Sequence, residues 1–182
     1  MADIKRLFNR YFGADEERNC AWRDFSSTIR RYNAWWPCPD GATGPEADAA
    51  RAKRVQNTGQ LASDYYDCVS PSYEQGWGQH FHYAPIVPGM SIKQCIEDFE
   101  RLHGEMTGFK SGMKVLDVGY GLGGPARSMA RQFGCKVVGI TNSDWHVERG
   151  TALIKEAGMM DRVEIVKGDF HVLPPNPKAR LS

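Results

Sequence analysis

Several absences narrow the field before any motif is read. The 182-residue sequence has no apolar run of the length that a membrane-spanning helix needs. Its first residues, Met1-Ala2-Asp3-Ile4-Lys5, lack the charged-then-apolar layout of a secretory leader. Neither charge sign dominates: 23 lysines and arginines stand against 22 aspartates and glutamates, a formal net charge of +1. Dedicated nucleic-acid binders carry a strong basic surplus, so no nucleic-acid partner is expected. Cysteine is sparse and scattered. Cys20, Cys38, Cys68, Cys95 and Cys135 are odd in number and form no CxxC pair or zinc-type cluster. The expectation is reduced thiols in a cytosolic compartment, with no metal site. There is no internal repeat. What remains is an ordinary globular composition with room for one domain and an appendage.

Ile4, Leu7, Phe8, Tyr11 and Phe12 recur at helical spacing among Lys5, Arg6 and Arg10. They predict a short amphipathic helix, either packed on the body of the protein or lying on a membrane surface. Residues 37–50 hold Pro37, Pro39, Gly41, Gly44 and Pro45, the composition of a linker. Residues 61–90 fit no regular period. Tyr65, Tyr66, Tyr73, Trp77, Phe81 and Tyr83 alternate there with Gly76, Gly78, His80 and His82, which predicts an aromatic-rich loop. Ser91 and Gln94 form a capping box for a helix whose Ile92, Cys95, Ile96, Phe99, Leu102 and Met106 share one face, with Gly108 as its stop. Strand and helix then alternate: Lys114–Val118 as a buried strand, Pro125–Phe133 as a helix, Lys136–Ile140, Asp144–Ala157 and Arg162–Val166. This rhythm predicts an α/β fold, a Rossmann-like doubly wound parallel sheet.

Gly119-Tyr120-Gly121-Leu122-Gly123-Gly124 stands where the first strand turns into its helix. Glycines there let the chain turn sharply and let a ligand approach the backbone. The spacing also satisfies the dinucleotide fingerprint, which wants an acidic residue ending the second strand. That strand ends Ile140-Thr141-Asn142, with no carboxylate before Asp144. Instead Asp117 lies inside the first strand. A carboxylate there would repel a pyrophosphate, like charge facing like. This placement resembles the first motif of class I methyltransferases.

A longer stretch narrows the resemblance. Tyr65-Tyr66-Asp67 and Tyr73-Glu74-Gln75-Gly76-Trp77-Gly78-Gln79-His80-Phe81-His82-Tyr83 are similar to the aromatic signature of sterol C-24 methyltransferases, and the likeness continues through Asp117–Arg127 and Lys167–Phe170. The resemblance implies S-adenosyl-L-methionine as cofactor, with Asp117, Gly119, Gly121 and Gly123 at its methionine end. It implies Asn142 at the ribose, and Asp169 and Phe170 at the adenine. It implies a sterol whose side-chain alkene attacks the sulfonium methyl and passes through a carbocation. Tyr73, Glu74, Trp77 and His82 are the catalytic candidates, and Tyr73, Trp77, Phe81 and Tyr83 line the sterol side, since aromatic faces attract cations. The implied organisation is residues 1–60 as a helical region and linker, 61–110 as the substrate segment, and 111–182 as part of the cofactor domain. The implied location is peripheral, at the cytoplasmic face of the endoplasmic reticulum, or the cytoplasm. A homo-oligomer stays open.

The sequence departs from that family's pattern at four places. Tyr120 stands where the family usually has Cys, to crowd the cofactor or to turn outward. Gln75 replaces a signature Tyr, the Val69–Ser72 stretch lacks an Asp, and Trp145-His146 follow the second strand. The expectation is a sheet stopping after its third strand, followed by a proline-rich tail over residues 172–182. Two alternatives stay open: a methyltransferase of another lipid or small molecule, including a relative of cyclopropane-fatty-acid synthase, and a non-catalytic form that pairs with a full-length subunit.

Overall fold

A computed structural model describes residues 25–39 and 41–172. The amphipathic Ile4–Phe12 segment, Cys20 and the tail beyond residue 172 lie outside the described residues. The described chain forms two compact units that divide after Val55. The first holds α1 (Phe25–Asn33) and all but the last residue of α2 (Pro45–Gln56). The linker is therefore shorter than expected, because Pro45 opens a helix: its missing N–H costs nothing at a first helical position. Arg54 fastens this unit by donating from Nη1 to the Trp35 carbonyl at 2.9 Å and resting its guanidinium 4.4 Å from the Trp36 ring centroid.

In the second unit, α3 (Thr58–Trp77) corrects the expected loop. Gly59, Pro71 and Gly76 hide the helical period in the sequence, yet the buried or half-buried Ser63, Asp67, Ser70 and Glu74 recur at helical spacing. Pro71 removes one helix donor. The helix persists because it is tied elsewhere: Asp67 Oδ1 accepts from Ser143 Oγ at 2.5 Å, and Ser63 Oγ donates to the Asn142 carbonyl at 3.0 Å. Next comes α4 (Ile92–Met106), and its capping box from Ser91 and Gln94 is present. The expected apolar face is buried only in part: Cys95 is inside, and Ile96 and Phe99 are half-buried. Ile92, Leu102 and Met106 are exposed, while Cys95, Glu100 and Gly104 are buried. The helix docks through Gly104, where a Cβ would stand 2.2 Å from the Phe133 ring.

The remainder is β1 (Lys114–Val118), α5 (Gly124–Phe133), β2 (Lys136–Thr141), α6 (Asp144–Glu156), β3 (Val163–Lys167) and a 3-10 turn at Phe170–Val172. The three strands form a parallel, Rossmann-like sheet in the order β1-β2-β3, with Asp117 opposite Gly139. β2 is buried from Val137 onward. β1, expected to be buried, has one strand neighbour among the described residues and leaves Leu116 and Val118 exposed. No described helix is long and apolar enough to cross a membrane.

Tyr120 does not point outward. Its side chain enters the core with Ala126, Ala130, Val137 and Ile154. Three glycines make the slot: a Cβ would stand 1.8 Å from the ring on Gly123 or Gly139, and 3.3 Å away on Gly150. Burial pushes its phenol up to about 12, against the pull of the Arg127 guanidinium. Gly139→Ala is therefore expected to destabilise by about 1–3 kcal/mol or more through overpacking. Much of that cost should vanish in the Tyr120→Ala background, giving a coupling of about 0.5–3 kcal/mol in a double-mutant cycle of urea unfolding.

Candidate functional site

Backbone geometry opens the glycine-rich turn. Gly119, Gly121 and Gly123 all have positive φ (85°, 56° and 67°), a region costly for side-chain-bearing residues. The amides of Gly119 and Tyr120 both donate to the Ile140 carbonyl, at 3.0 and 3.1 Å, so the turn folds back over the end of β2. A Cβ on Gly119 would meet nothing within 4 Å; that side of the turn is open. Asp117, two residues earlier on β1, is half-buried, and burial raises its carboxyl above the ordinary range. It is a carboxylate whose charge the protein leaves poorly compensated.

The segment after α3 crosses this turn as a strap. The Gly124 amide donates to the Gln79 carbonyl at 3.1 Å, and a Cβ on Gly124 would stand 2.3 Å from that oxygen. Arg127, 5% exposed, donates from Nη1 to the Leu122 carbonyl and from Nη2 to Gln79 Oε1, both at 2.6 Å. One buried cation thus fastens the turn and the strap together. Gln79 and Arg127 were missed as site residues, because nothing in the sequence pairs positions so far apart.

The strap divides the aromatic candidates. Phe81 reaches the turn, 3.4 Å from where a Cβ on Gly121 would be, and packs edge-on against Tyr73 at 5.9 Å. The Tyr73 hydroxyl lies 2.9 Å from that of Tyr65. Trp77 and Tyr83 form a separate exposed pair at 4.9 Å. Glu74 is held by Arg149, whose Nη2 and Nε donate at 2.8 and 3.0 Å. His82 lies against Glu100, with Nε2 2.8 Å from Oε1.

Two of the residues expected at the adenosine end, Asn142 and Asp169, meet at the start of α3. Asn142 Nδ2 donates to the Gly59 carbonyl at 2.8 Å. Asp169 Oδ2 lies 2.7 Å from where a Cβ on Gly59 would be. Asp169 Oδ1 accepts from the His171 amide at 2.9 Å, and this bond, with the His171 ring, lowers its pKa. Phe170 is 39% exposed and stacks on His171.

With this geometry in place, likeness to known proteins becomes informative. The family described as mycolic acid cyclopropane synthetase matches residues 60–178, more than half of the chain. The chain belongs to this family. Among curated proteins, the chain is similar to the sterol 24-C-methyltransferase of Yarrowia lipolytica, 42% identical over 123 residues, which are 68% of this chain and 32% of that protein. The enzyme of the same name from Saccharomyces cerevisiae is 34% identical over 142 residues, 78% of this chain and 36% of that one. The chain spans about a third of the length of these relatives. Among solved structures, the [4+2]-cyclase SpnF is 29% identical with a TM-score of 0.58, over 64% of this chain and 44% of that one. A putative sarcosine dimethylglycine methyltransferase from Galdieria sulphuraria, 24% identical with a TM-score of 0.52 over 58% and 43% of the two chains, shares the fold.

Behind the site, this family member ties α3 to the exit of β2 through His146, which is 3% exposed. Its Nε2 lies 2.7 Å from Ser70 Oγ and its Nδ1 3.3 Å from Thr141 Oγ1. Burial lowers the ring from 6.5 to about 4, so the native state holds it neutral. The unfolded chain takes up this proton first as pH falls, so the His146 contribution is complete above 6.5 and disappears as pH drops toward about 4. The loss is on the order of 3 kcal/mol. Thermal melts across that range should show it, and His146→Gln should flatten the dependence.

Proposed function

We propose that this chain carries the cofactor-binding turn and part of the acceptor pocket of an S-adenosyl-L-methionine-dependent sterol C-24 methyltransferase. One observation carries the reading: a half-buried carboxylate on β1 runs into a glycine turn with an open side, and an aromatic pair, Phe81 and Tyr73, closes on that turn at Gly121. The residues fit the cofactor. Asp117 suits a cationic amino-acid end, since it gains most from an added positive charge. Gly119 and Gly121 admit close approach of a ligand to backbone. Asn142, Asp169 and Phe170 lie on the same β2 and β3 exits and would serve the adenosine end. Bound there, the cofactor supplies an electrophilic methyl group. The chain's own part is to present the Asp117 carboxyl, to keep the turn open and to offer rings. Desolvated rings favour a cation on the acceptor by about 2 kcal/mol.

The names of the sterol relatives support the acceptor class, at 34–42% identity. The family description favours a second class, an acyl-chain lipid. A sterol acceptor also goes with a peripheral position at the cytoplasmic face of the endoplasmic reticulum, which cell fractionation tests.

Calorimetry on this chain should show S-adenosylhomocysteine binding. A chimera carrying residues 60–172 in the Yarrowia lipolytica relative should transfer labelled methyl to a Δ24 sterol. Labelled fatty acid without labelled sterol would contradict the acceptor, and no binding would contradict the cofactor. Asp117→Asn should weaken cofactor binding by about tenfold or more, ~1.4 kcal/mol. The same change should leave Tm equal or higher. A carboxyl whose pKa folding raises is destabilising once pH exceeds its unfolded value, so removing its charge relieves that penalty.

A further inference from the structure

The strap carries a cluster that the cofactor reading does not use. Side chains alternate along it: Phe81 turns toward the glycine turn, while His80 and His82 turn toward Glu100 on α4. His80 Nδ1 lies 2.7 Å from Glu100 Oε1, and His82 Nε2 lies 2.8 Å from the same oxygen. The three donor atoms lie within 4.8 Å of one another. The Glu100 side chain is 2% exposed, and each histidine ring is 27% exposed. Glu100 Oε2 is buried without a completed hydrogen bond. The Ser128 hydroxyl beside the carboxylate helps to stabilise its charge but does not satisfy that atom. A buried carboxylate oxygen with no donor is strongly destabilising.

The positions of the protons sharpen the problem. His82 Nδ1 lies 3.0 Å from the Tyr83 carbonyl. A carbonyl only accepts, so Nδ1 carries the hydrogen. In a neutral ring Nε2 is then a lone pair. It would face a carboxylate oxygen, also all lone pairs, at 2.8 Å. That contact is repulsive unless a positive centre lies between the two atoms. A proton on the ring is one such centre; a metal ion is the other. Three features favour the metal. A second imidazole nitrogen converges on the same oxygen. The second carboxylate oxygen lacks a donor. And His82 gives its other N–H to a backbone carbonyl, the outer bond that metal-bound histidines make.

We propose that His80, His82 and Glu100 form a binding site for a divalent transition metal of the Zn2+ type, with its remaining position open to water. Two imidazoles and one carboxylate suit that ion; Ca2+ and Mg2+ want oxygen. Ligands at about 2.0–2.2 Å from a tetrahedral ion stand roughly 3.3 Å apart. The rings must therefore withdraw by about half an ångström, which their partial exposure permits. The site's role is structural. It staples the strap to α4 beside the Gln79–Gly124 contact and so fixes Phe81. It does not depend on the proposed methyl transfer.

Chelator-treated full-length chain, titrated with Zn2+ alone against a chromophoric competitor, should take up one equivalent and gain Tm by mass action. With Co2+ as probe, the visible spectrum should lack the thiolate charge-transfer band that the cysteines would give. His80→Ala, His82→Ala and Glu100→Gln should each weaken binding by about tenfold or more. His103→Ala, which alters a ring bonded to the Phe99 carbonyl, should not. His80 is part-exposed, so its variant decides the matter even if Glu100→Gln fails to fold. Absence of stoichiometric uptake, uptake indifferent to His80 and His82, or a thiolate spectrum would each overturn the site. An imidazolium nitrogen signal from His82 that Zn2+ leaves unchanged would assign the positive centre to a proton instead.

Discussion

A single crossing holds the site together: the strap after α3 lies so close to the start of α5 that only a hydrogen atom fits between them at Gly124. The Gln79 carbonyl accepts from the Gly124 amide, and Arg127 closes the contact from below through the Gln79 side chain. Any side chain at Gly124 would displace the strap. Because Gln79 is bonded both to Gly124 and to Arg127, the position of the aromatic segment is tied to that of the glycine turn. Phe81 meets Gly121 as a consequence of where Gln79 meets Gly124.

The buried charges around this crossing differ in how they are satisfied, and the differences separate scaffold from site. Arg127 is buried with neutral acceptors, and burial lowers its pKa. Its bonds to the turn at Leu122 and to the strap at Gln79 reinforce the Gln79–Gly124 contact. Burial raises Glu100, but the His80, Ser128 and His82 side chains beside it outweigh burial, and the net shift is downward. Asp117 has burial as its one cause of shift, unanswered by any donor. Of the three, it is the group whose environment improves most when a cation arrives.

Much of this arrangement was legible in the sequence, for identifiable reasons. The glycine turn and alternating strands and helices are local patterns with short spacing, so β1, α5, β2, α6 and β3 appear within a residue or two of their expected bounds. The capping box at Ser91 was equally local. α3 was illegible because Gly59, Pro71 and Gly76 break propensity, while tertiary bonds from Asp67 and Ser63 to the β2 exit maintain the helix. The buried face of α4 was legible only in part: Cys95 is buried as expected, but a small residue, Gly104, and a charged one, Glu100, are buried with it. Hydrophobic periodicity cannot register either. The inward turn of Tyr120 depends on Gly139 and Gly150, far along the chain. The candidate residues Phe81 and Tyr73 come together at the turn, whereas Trp77 and Tyr83 pair away from it.

If strap and turn form one unit, their backbone amides must open together. Amide hydrogen exchange of residues 76–90 and 117–128, with and without S-adenosylhomocysteine, tests this directly. The account predicts that the Gly124 amide and the strap exchange at matched rates in the free protein, and that ligand slows both by the same factor. Protection of the turn alone, with a strap that exchanges freely and ignores the ligand, would contradict it.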